Sequence, residues 1–221
     1  SKAVGIQLAK LGALVMSGIK IKDLDLPSTS YNRPYFSVKE AVFPFSKFPE
    51  VDVLLGPEMK STGEVMGFGK TFGEAYFKAQ RAAGVILPKE GNVFISVRDH
   101  DKEPICEVAS ELIDMGFKIY ATSGTFFYLA DAGIVCSKIN KVKDGHPHIV
   151  DMIKNNEVHL IINTTEGARS IKDSFSIRKE AQNHKISLTT TVSGAKAFCK
   201  AIKFIDDFGA QDLKQRHESI L

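Results

Sequence analysis

Six polar residues in the sequence follow short apolar runs, each near the point where a run ends. They are Lys102, Thr122, Thr125, Lys141, Asn163 and Thr165. Ammonium groups together with hydroxyl donors are suited to hold a phosphate dianion, and an amide beside a hydroxyl can bind the hydroxyl groups of a sugar. The types and positions of these residues therefore predict a phosphate pocket.

The apolar runs predict the strands that must bring these residues together. Runs FKIYA (117–121), VCSKI (135–139) and VHLII (158–162) alternate with helical segments, and NVFIS (92–96) and ISLTT (186–190) continue the pattern on either side. Strands that alternate with helices form a parallel sheet, and ligands bind at the edge where the carboxyl ends of its strands meet. We therefore expect an α/β fold with a five-stranded parallel sheet and helices on both faces. The helices are predicted to begin near Lys102 and after Thr125, and then to cover 147–154, 174–182 and 194–203.

Three of the six residues also have an ordinary structural explanation. Lys102 alone would be a surface lysine, and Thr122 and Thr125, which flank Gly124, would be helix N-caps. The recurrence of such residues at successive strand ends favours an anion site over these explanations taken one at a time.

The aromatic and histidine residues of this region are assigned structural roles. Tyr120, Phe126 and Phe127 are predicted to lie in the core rather than to stack on a base, although Phe126 and Phe127 stand near the proposed site. His146 and His148 are interpreted as loop histidines, with no metal site, because no cysteine or carboxylate cluster stands close by at ligand spacing. Nothing in the sequence defines a Ser-His-Asp set.

The first third of the chain has a different pattern. Apolar residues at helical spacing predict an amphipathic helix over 4–16, and because no N-cap precedes it we expect the chain to be a piece of a longer protein. Residues 20–34 predict a loop, and the alternation over 35–43 predicts a strand. Short apolar runs with Pro and Gly over 44–73 predict turns between short strands.

A Gly-Lys-Thr triplet at 69–71 resembles part of a P-loop, but the spacing excludes that motif. The motif needs a glycine five residues before the one at 69, at a position held by Glu64. Thr71 and Glu74 instead have the spacing of a capping box, which predicts a helix over 74–83.

The regular pattern begins only after residue 91, so we place a domain boundary between 84 and 91, where Pro88 interrupts the sequence. This divides the chain into domains of residues 1–84 and 85–221. At 221 residues the chain is long enough for one large domain, or for one domain and part of another.

Composition excludes several classes of function. A net charge of +3, with lysines spread along the chain, gives no reason to expect nucleic acid. No apolar run is long enough to span a membrane, and no signal peptide opens the sequence. Cys106, Cys136 and Cys199 form no CxxC pair and are expected to be reduced thiols in a cytoplasmic protein.

Long motifs of the sequence resemble a known family. The stretch FSVKEAVFPFSKFPEVDVLLGPEMKSTGEVMG resembles the end of the second ATP-grasp half of the carbamoyl phosphate synthetase large subunit. The later motifs SVRDHDKE, ATSGT, NKVKDGHPHI and IINTT resemble the C-terminal allosteric domain of that subunit, which shares its fold with methylglyoxal synthase. The resemblance covers essentially the whole chain, with residues 1–84 as the ATP-grasp remnant and 85–221 as the allosteric domain.

The resemblance implies a regulatory role within a glutamine-dependent enzyme. Such enzymes make carbamoyl phosphate from bicarbonate, ammonia from glutamine, and two ATP, for arginine and pyrimidine synthesis. The allosteric pocket of bacterial forms binds UMP as inhibitor or IMP as activator. By matching position, Lys102, Thr122, Thr125 and Lys141 would surround the phosphate, and Asn163 and Thr165 would lie on the ribose side.

The resemblance also implies what this chain lacks and what it needs. It should contain no catalytic residues and no cofactor of its own, whereas the full-length subunit would use ATP, Mg (or Mn) and K ions. Its partners would be the rest of the large subunit, a glutaminase small subunit and further copies in an oligomer.

Two further expectations come from the family. Glu40 and Thr190 match two positions that bind the activator ornithine, but Leu188 stands where the family has a tyrosine, so one hydroxyl ligand is missing. The alternative function is a stand-alone methylglyoxal synthase acting on dihydroxyacetone phosphate. Those enzymes carry a catalytic aspartate in a Gly-Asp segment after the third strand, where this chain has Asp144-Gly145-His146-Pro147.

Overall fold

A computed structural model gives the fold of the chain. The residues it describes are 1, 3–26, 34–45, 48, 51–206, 209, 212 and 214. Part of the loop predicted over 20–34 lies outside the described residues, as does most of the chain after residue 206.

Eight helices and seven strands lie within the described residues. In chain order they are α1 (Leu8–Met16), β1 (Phe36–Val42), β2 (Gly63–Gly69), α2 (Phe72–Ala82), β3 (Asn92–Ser96), α3 (Lys102–Asp114), β4 (Lys118–Ala121), α4 (Ser123–Asp131), β5 (Ser137–Lys138), α5 (Ile149–Lys154), β6 (Leu160–Asn163), α6 (Gly167–Asp173), α7 (Phe175–Asn183), β7 (Ser187–Thr189) and α8 (Val192–Ile202). Short 3-10 turns lie at Ile21–Asp23, Asp99–Asp101 and Val142–Asp144.

The main sheet has five parallel strands in the order β5-β4-β3-β6-β7. This confirms the predicted five-stranded parallel α/β fold. The central strand β3 pairs Phe94 with Tyr120 of β4 on one side and with Ile161 of β6 on the other. The strand order reverses between β3 and β6, and the carboxyl ends of strands at such a reversal form a crevice in which ligands bind.

The two faces of the sheet bury separate apolar cores. Val93 and Ile95 of β3 pack with α3 and α8 on one face, whereas Phe94 packs with α5 and α7 on the other. Neighbouring side chains of a strand point to opposite faces, so a continuous apolar run is what a strand covered on both faces requires.

The N-terminal part forms a hairpin with a helix laid across it. Strands β1 and β2 are antiparallel, with Phe36 opposite Gly69 and Val42 opposite Gly63. A side chain at Gly67 or Gly69 would collide with the backbone of α2 at Ala75. The glycines of β2 therefore let α2 lie directly on the hairpin, and they have no part in a P-loop.

The predicted capping residue Thr71 does begin α2, two residues earlier than expected. Its hydroxyl accepts the Glu74 N–H at 3.2 Å. The Glu74 carboxylate accepts the Lys70 N–H at 2.7 Å instead of returning to Thr71, so it satisfies a donor just outside the helix.

Helix α2 shares a core with the parallel sheet. Phe77 of α2 and Leu87 lie in the same buried cluster as Val93 and Phe198. The helix assigned to the first domain thus packs on the second, and the boundary near residue 84 stays a prediction.

Three local expectations differ from the structure. The polar stretch after Thr165 contains α6, which the sequence pattern did not indicate. The third strand is short, at Ser137–Lys138, and Ile139 extends it by donating its N–H to Ala121 at 2.9 Å. The helices predicted over 4–16, 147–154 and 194–203 begin instead at Leu8, Ile149 and Val192, and the helix predicted after Thr125 begins at Ser123. Within the described part of the chain, no helix combines the length and apolar character needed to cross a bilayer.

Candidate functional site

The Lys102 side chain extends from the segment after β3 to the turn that follows the adjacent strand β4. It begins α3, after the 3-10 turn that follows β3, and its side chain is mostly buried. Its Nζ lies 3.6 Å from the point where a side chain on Gly124 would begin. Because β3 and β4 are adjacent and parallel, the predicted lysine and the predicted threonine turn do come together.

The two threonines of this turn are buried, each only 2% exposed. Thr122 is the residue before α4, but its hydroxyl lies 3.0 Å from the Ser96 hydroxyl and makes no capping hydrogen bond. The Thr125 hydroxyl accepts the Val97 N–H at 3.2 Å. The N-cap explanation is therefore wrong for both residues, since their hydroxyls tie the turn to the end of β3. Each hydroxyl keeps further capacity, because an oxygen that accepts a hydrogen bond can still donate its own proton.

The two predicted lysines share an acidic neighbour. Asp99 Oδ1 lies 2.8 Å from Lys102 Nζ. The pKa of Asp99 is lowered by its hydrogen bond and charge interaction with Lys102 and, to a smaller extent, by the charge of Lys141. Lys141 itself is exposed and begins the short turn Val142–Asp144, where the Asp144 carboxylate accepts its N–H at 3.2 Å. Both ammonium groups therefore act on the same small region at the strand ends.

Asn163 ends β6 with an amide that is 2% exposed. Its Nδ2 donates to the Ser96 carbonyl at 3.4 Å, whereas its Oδ1 has no hydrogen-bond partner among the described residues. A buried acceptor without a partner is uncommon in proteins and points to a donor supplied by a ligand or by water. Thr165, two residues further on, is partly exposed.

Sequence reasoning missed residues that join the predicted ones. Ser96 contacts both Thr122 and Asn163, and it is itself a hydroxyl residue at a strand end, so the rule that selected the others could have found it. Thr164 accepts the Arg98 N–H at 3.1 Å, and Arg98 pairs with Asp101 at 2.8 Å. These last contacts fix the loop after β3, and no spacing in the sequence indicates them.

Two of the three aromatic residues near the site are packed on the cores, and the third is exposed. Tyr120 and Phe126 pack against the buried cores, as predicted. Phe127 is 58% exposed, so its assignment to the core is wrong. It lies edge-on to Phe126, and Lys138 Nζ stands 5.6 Å from its ring centre, which is within the range of a cation–π contact.

The histidines have a carboxylate neighbour that the sequence interpretation overlooked. His146 Nδ1 lies 2.7 Å from Asp151 Oδ2, and His148 is the buried N-cap of α5. The Asp151 carboxylate does stand close to both histidines, so the prediction that they have no carboxylate nearby is wrong.

Glu40 lies in β1 of the N-terminal hairpin, whereas Thr190 follows the carboxyl end of β7, an outer strand of the sheet that is separated from β3 by β6. Partial burial raises the pKa of Glu40, although a hydrogen bond with Gln80 of α2 opposes the shift. Burial, with a smaller effect from Glu40, raises the pKa of Tyr76 to about 12. Thr190 stands between β7 and α8. Ornithine binding stays a prediction.

The three cysteines are free thiols. Cys199 is buried in α8, and burial raises its pKa to about 12. Cys106 and Cys136 are partly buried, and burial also raises their pKa values. Protonated, partly or fully buried thiols have little reactivity.

Comparisons with known proteins cover the whole chain. The family profile described as "MGS-like domain" matches residues 104–190. The chain is 52% identical over 220 residues to the carbamoyl phosphate synthase large chain of Pseudomonas syringae pv. tomato, matching 100% of this chain and 20% of that protein. It is also 52% identical over 220 residues to the large chain of Pseudomonas aeruginosa and 48% identical over 221 residues to that of Xanthomonas campestris pv. campestris, with the same coverage.

Among solved structures, the chain is similar to the crystal structure of ForH, with a TM-score of 0.37 and 17% identity over 59% of this chain and 91% of that one. The chain spans about a fifth of the length of the large chains it matches, as the 20% coverage shows. It therefore contains an MGS-like domain and corresponds, over its whole length, to the C-terminal region of the carbamoyl phosphate synthase large chain.

Proposed function

We propose that this region is the regulatory part of a carbamoyl phosphate synthase large chain and that it binds a nucleoside monophosphate, UMP or IMP. The phosphate lies at the carboxyl ends of β3 and β4, and the ribose lies toward the end of β6. The observation that carries the proposal is the position of Lys102 Nζ over Gly124, at the turn between two buried threonines.

The chemistry of that turn suits a phosphate dianion. Helix α4 begins at Ser123, so its first backbone N–H groups point out of the helix at the same place as the Thr122 and Thr125 hydroxyls. Unpaired N–H groups at a helix start, a lysine and hydroxyl donors are the components of protein phosphate sites. Lys141 adds positive charge from the next loop.

The ribose side of the site depends on Asn163. Its unpartnered Oδ1 is a buried acceptor, and a ribose hydroxyl can donate to it. Thr165, two residues further along, adds a partly exposed residue with a hydroxyl group. This arrangement predicts that a nucleotide binds more tightly than inorganic phosphate.

Regulation requires a path from this site to the N-terminal segment. Arg178 of α7 is buried, and its Nε donates to Asp52 Oδ1 at 2.8 Å. Gln182 donates to the Phe45 carbonyl, and α2 packs on α8. Through these contacts, a change at the sheet would reach the segment of residues 1–84, which would belong to the ATP-grasp half in the whole protein.

The whole protein would perform the chemistry. Carbamoyl phosphate would form from bicarbonate, glutamine-derived ammonia and two ATP, with Mg (or Mn) and K ions, a glutaminase small subunit and further copies of the assembly, in the cytoplasm. This chain alone would bind the effector without catalysis.

The structure does not favour a methylglyoxal synthase. The acidic residue in the loop after the third strand is Asp144, and its carboxylate accepts the Lys141 N–H at 3.2 Å. One of its oxygens thus caps a 3-10 turn, and the segment reads Asp-Gly where those enzymes have Gly-Asp.

Isothermal titration of the chain with UMP, IMP, uridine and inorganic phosphate tests the proposal. We expect UMP or IMP to bind at one site per chain, phosphate to bind more weakly, and uridine to bind weakest, because it lacks the charged group. Lys102→Ala should weaken nucleotide binding by at least about tenfold, the loss typical of a hydrogen bond to a charged group.

Lys154→Ala is the matched control, since it removes an exposed lysine from the last turn of α5. Circular dichroism confirms that each variant is folded. The absence of heat with both nucleotides in a folded sample, or equal losses for the two lysine variants, would overturn the proposal.

A further inference from the structure

Two histidines and an aspartate converge at the start of α5. The ligand atoms of His146, His148 and Asp151 all lie within 4.8 Å of one another. His146 Nδ1 is 2.7 Å from Asp151 Oδ2, and His148 Nδ1 is 3.1 Å from the same oxygen. The two imidazole rings lie side by side, with centroids 4.3 Å apart and planes inclined by 34°.

The start of the helix holds two of these groups in place. The His148 N–H donates to Asp151 Oδ2 at 2.9 Å, and the Asp151 N–H donates to His148 Nδ1 at 3.3 Å. This reciprocal pair satisfies two donors at the beginning of α5, as in a capping box. It also fixes the tautomer of His148, because a ring nitrogen that accepts a hydrogen bond carries no proton of its own.

The capping arrangement leaves two acceptors facing each other. His148 Nδ1 and Asp151 Oδ2 are 3.1 Å apart, and neither atom carries a hydrogen in this tautomer. The single lone pair of Nδ1 accepts the Asp151 N–H at the long distance of 3.3 Å, so a cation would bind Nδ1 by replacing this hydrogen bond. His146 Nδ1, next to the same oxygen, supplies a third donor atom on the exposed side.

We propose that His146, His148 and Asp151 bind a zinc-type divalent cation, with water completing its coordination. Two imidazole nitrogens and one carboxylate oxygen are a donor set that Zn²⁺ accepts, and an open fourth position is common in such sites. Ligand atoms of a tetrahedral zinc ion lie roughly 3.4 Å apart at bond lengths of about 2.1 Å, so a small opening of the cluster accommodates the ion. Mg²⁺ and Ca²⁺ prefer sites made of oxygen alone and are not expected here.

Exposure supports the assignment of roles. His148 is 6% exposed and Asp151 is partly buried, whereas the side chain of His146 is 77% exposed. His148 and Asp151, the two less exposed residues, are held at the start of α5. His146 would complete the coordination of the ion from the solvent side. The proposal does not depend on nucleotide binding, because none of the three residues belongs to the strand-end site.

Titration of the 221-residue chain with ZnCl₂, followed by calorimetry, tests the site. We expect one Zn²⁺ per chain, and no comparable heat with MgCl₂. The complex with Co²⁺ should show the visible absorption of a tetrahedral ion and should lack a sulfur-to-cobalt charge-transfer band, which excludes binding by the cysteines.

His146→Gln should weaken Zn²⁺ binding by at least about tenfold, since changing even an outer partner of a metal ligand loses that much. The exposure of His146 means that this variant should fold normally. The matched control is His184→Gln. His184 is a partly exposed histidine after α7, and its ring lies 3.1 Å from the Asn156 side chain, which follows the far end of α5. Zn²⁺ binding that is absent, that is the same in His146→Gln as in the unchanged chain, or that shows a cobalt–sulfur band would overturn the assignment.

Discussion

Lys102 and Asp99 form an ion pair at the mouth of the strand-end site, with Nζ and Oδ1 2.8 Å apart. The two partners differ in environment, since the lysine side chain is 20% exposed and the aspartate side chain is 95% exposed. The carboxylate therefore approaches the buried cation from the solvent side, which is the side from which a phosphate group would come.

The first prediction is that Asp99→Asn strengthens binding of UMP, IMP and phosphate. Removing the carboxylate frees the Lys102 ammonium and lowers the repulsion felt by an incoming dianion. The gain should be about two- to fivefold, the size of effect measured for exposed charge pairs. Asp114→Asn, with the same charge change at the other end of α3, should leave the titration curves unchanged. Equal or weaker binding by Asp99→Asn would show that the carboxylate does not compete with the ligand.

A second prediction concerns the salt dependence of nucleotide binding. Lys141 is exposed, so salt weakens its attraction for a phosphate, and at 0.1 M this attraction is largely screened beyond about 10 Å. Lys141→Ala should weaken nucleotide binding about three- to tenfold at low salt and flatten the dependence of affinity on salt concentration. Titrations at several concentrations of KCl measure both effects. A parallel loss at every salt concentration would mean that Lys141 acts in some way other than as a charge.

A third prediction separates the sugar from the phosphate. Asn163→Ala removes the unpartnered Oδ1 and the hydrogen bond to Ser96, without changing any charge. Affinity for UMP or IMP should fall about five- to tenfold, the effect of one hydrogen bond, whereas affinity for inorganic phosphate should not change. Titrations with both ligands give the comparison. Equal losses for both would place Asn163 on the phosphate side or show a general distortion of the strand end.

A fourth prediction tests the contact between Arg178 and Asp52. Asp52→Asn leaves the buried guanidinium without a counter-charge and should lower the free energy of unfolding by about 3 kcal/mol. Urea unfolding followed by circular dichroism measures the loss. The double variant Asp52→Leu with Arg178→Leu should recover most of it, because replacing both charges with apolar groups removes the unpaired charge. A single variant as stable as the unchanged chain would contradict the structural role of the pair.

A fifth prediction follows from the pKa of Asp52. Partial burial acts to raise this pKa, but hydrogen bonds from Arg178 and Leu54 outweigh burial, so the pKa in the folded chain lies below its ordinary value. The pair therefore stabilises the fold fully above about pH 4, the unfolded-state pKa, and loses this contribution as the pH falls through the lower folded-state pKa. The stability difference between the unchanged chain and Asp52→Asn should thus be constant near neutral pH and shrink in acid. A difference that persists at the lowest pH where both are folded would rule out the carboxylate charge as its cause.

Sequence patterns were sufficient for the elements that depend on periodicity. The runs around Phe94, Ile119 and Ile161 are covered on both faces, so their apolar character marks them as central parallel strands wherever the rest of the chain goes. The lysine and threonines at the strand ends could be grouped for the same reason, because a parallel sheet brings its carboxyl ends to one edge.

The partners of individual polar groups could not be predicted in the same way. Thr122 precedes a helix and has the sequence features of an N-cap, yet its hydroxyl contacts Ser96, a residue 26 positions away. Which of two possible partners a hydroxyl takes depends on distances set by the packing of β3 against β4. A local pattern contains no information about them.

Of two omissions, one had a signal in the sequence and the other did not. His148 and Asp151 have the spacing of a capping box, with histidine in place of the usual serine or threonine, and this would have brought the carboxylate next to the histidines. Helix α6 has only Ala168 and Ile171 at helical spacing over seven residues, which is too short a pattern to distinguish from a loop.

Gly73 at the start of α2 lies so close to the Lys200 carbonyl of α8 that a methyl group there would be 2.5 Å from that oxygen. Gly67 allows no side chain either, on the opposite side of α2. Helix α2 is thus packed closely on both the hairpin and α8, so we expect a tilt of α8 to displace β1 and β2 with it, since such close backbone contacts leave no side chains to rearrange. We expect a methyl group at Gly67 or Gly73 to push these elements apart and to weaken any coupling between them, although neither glycine belongs to the proposed strand-end site.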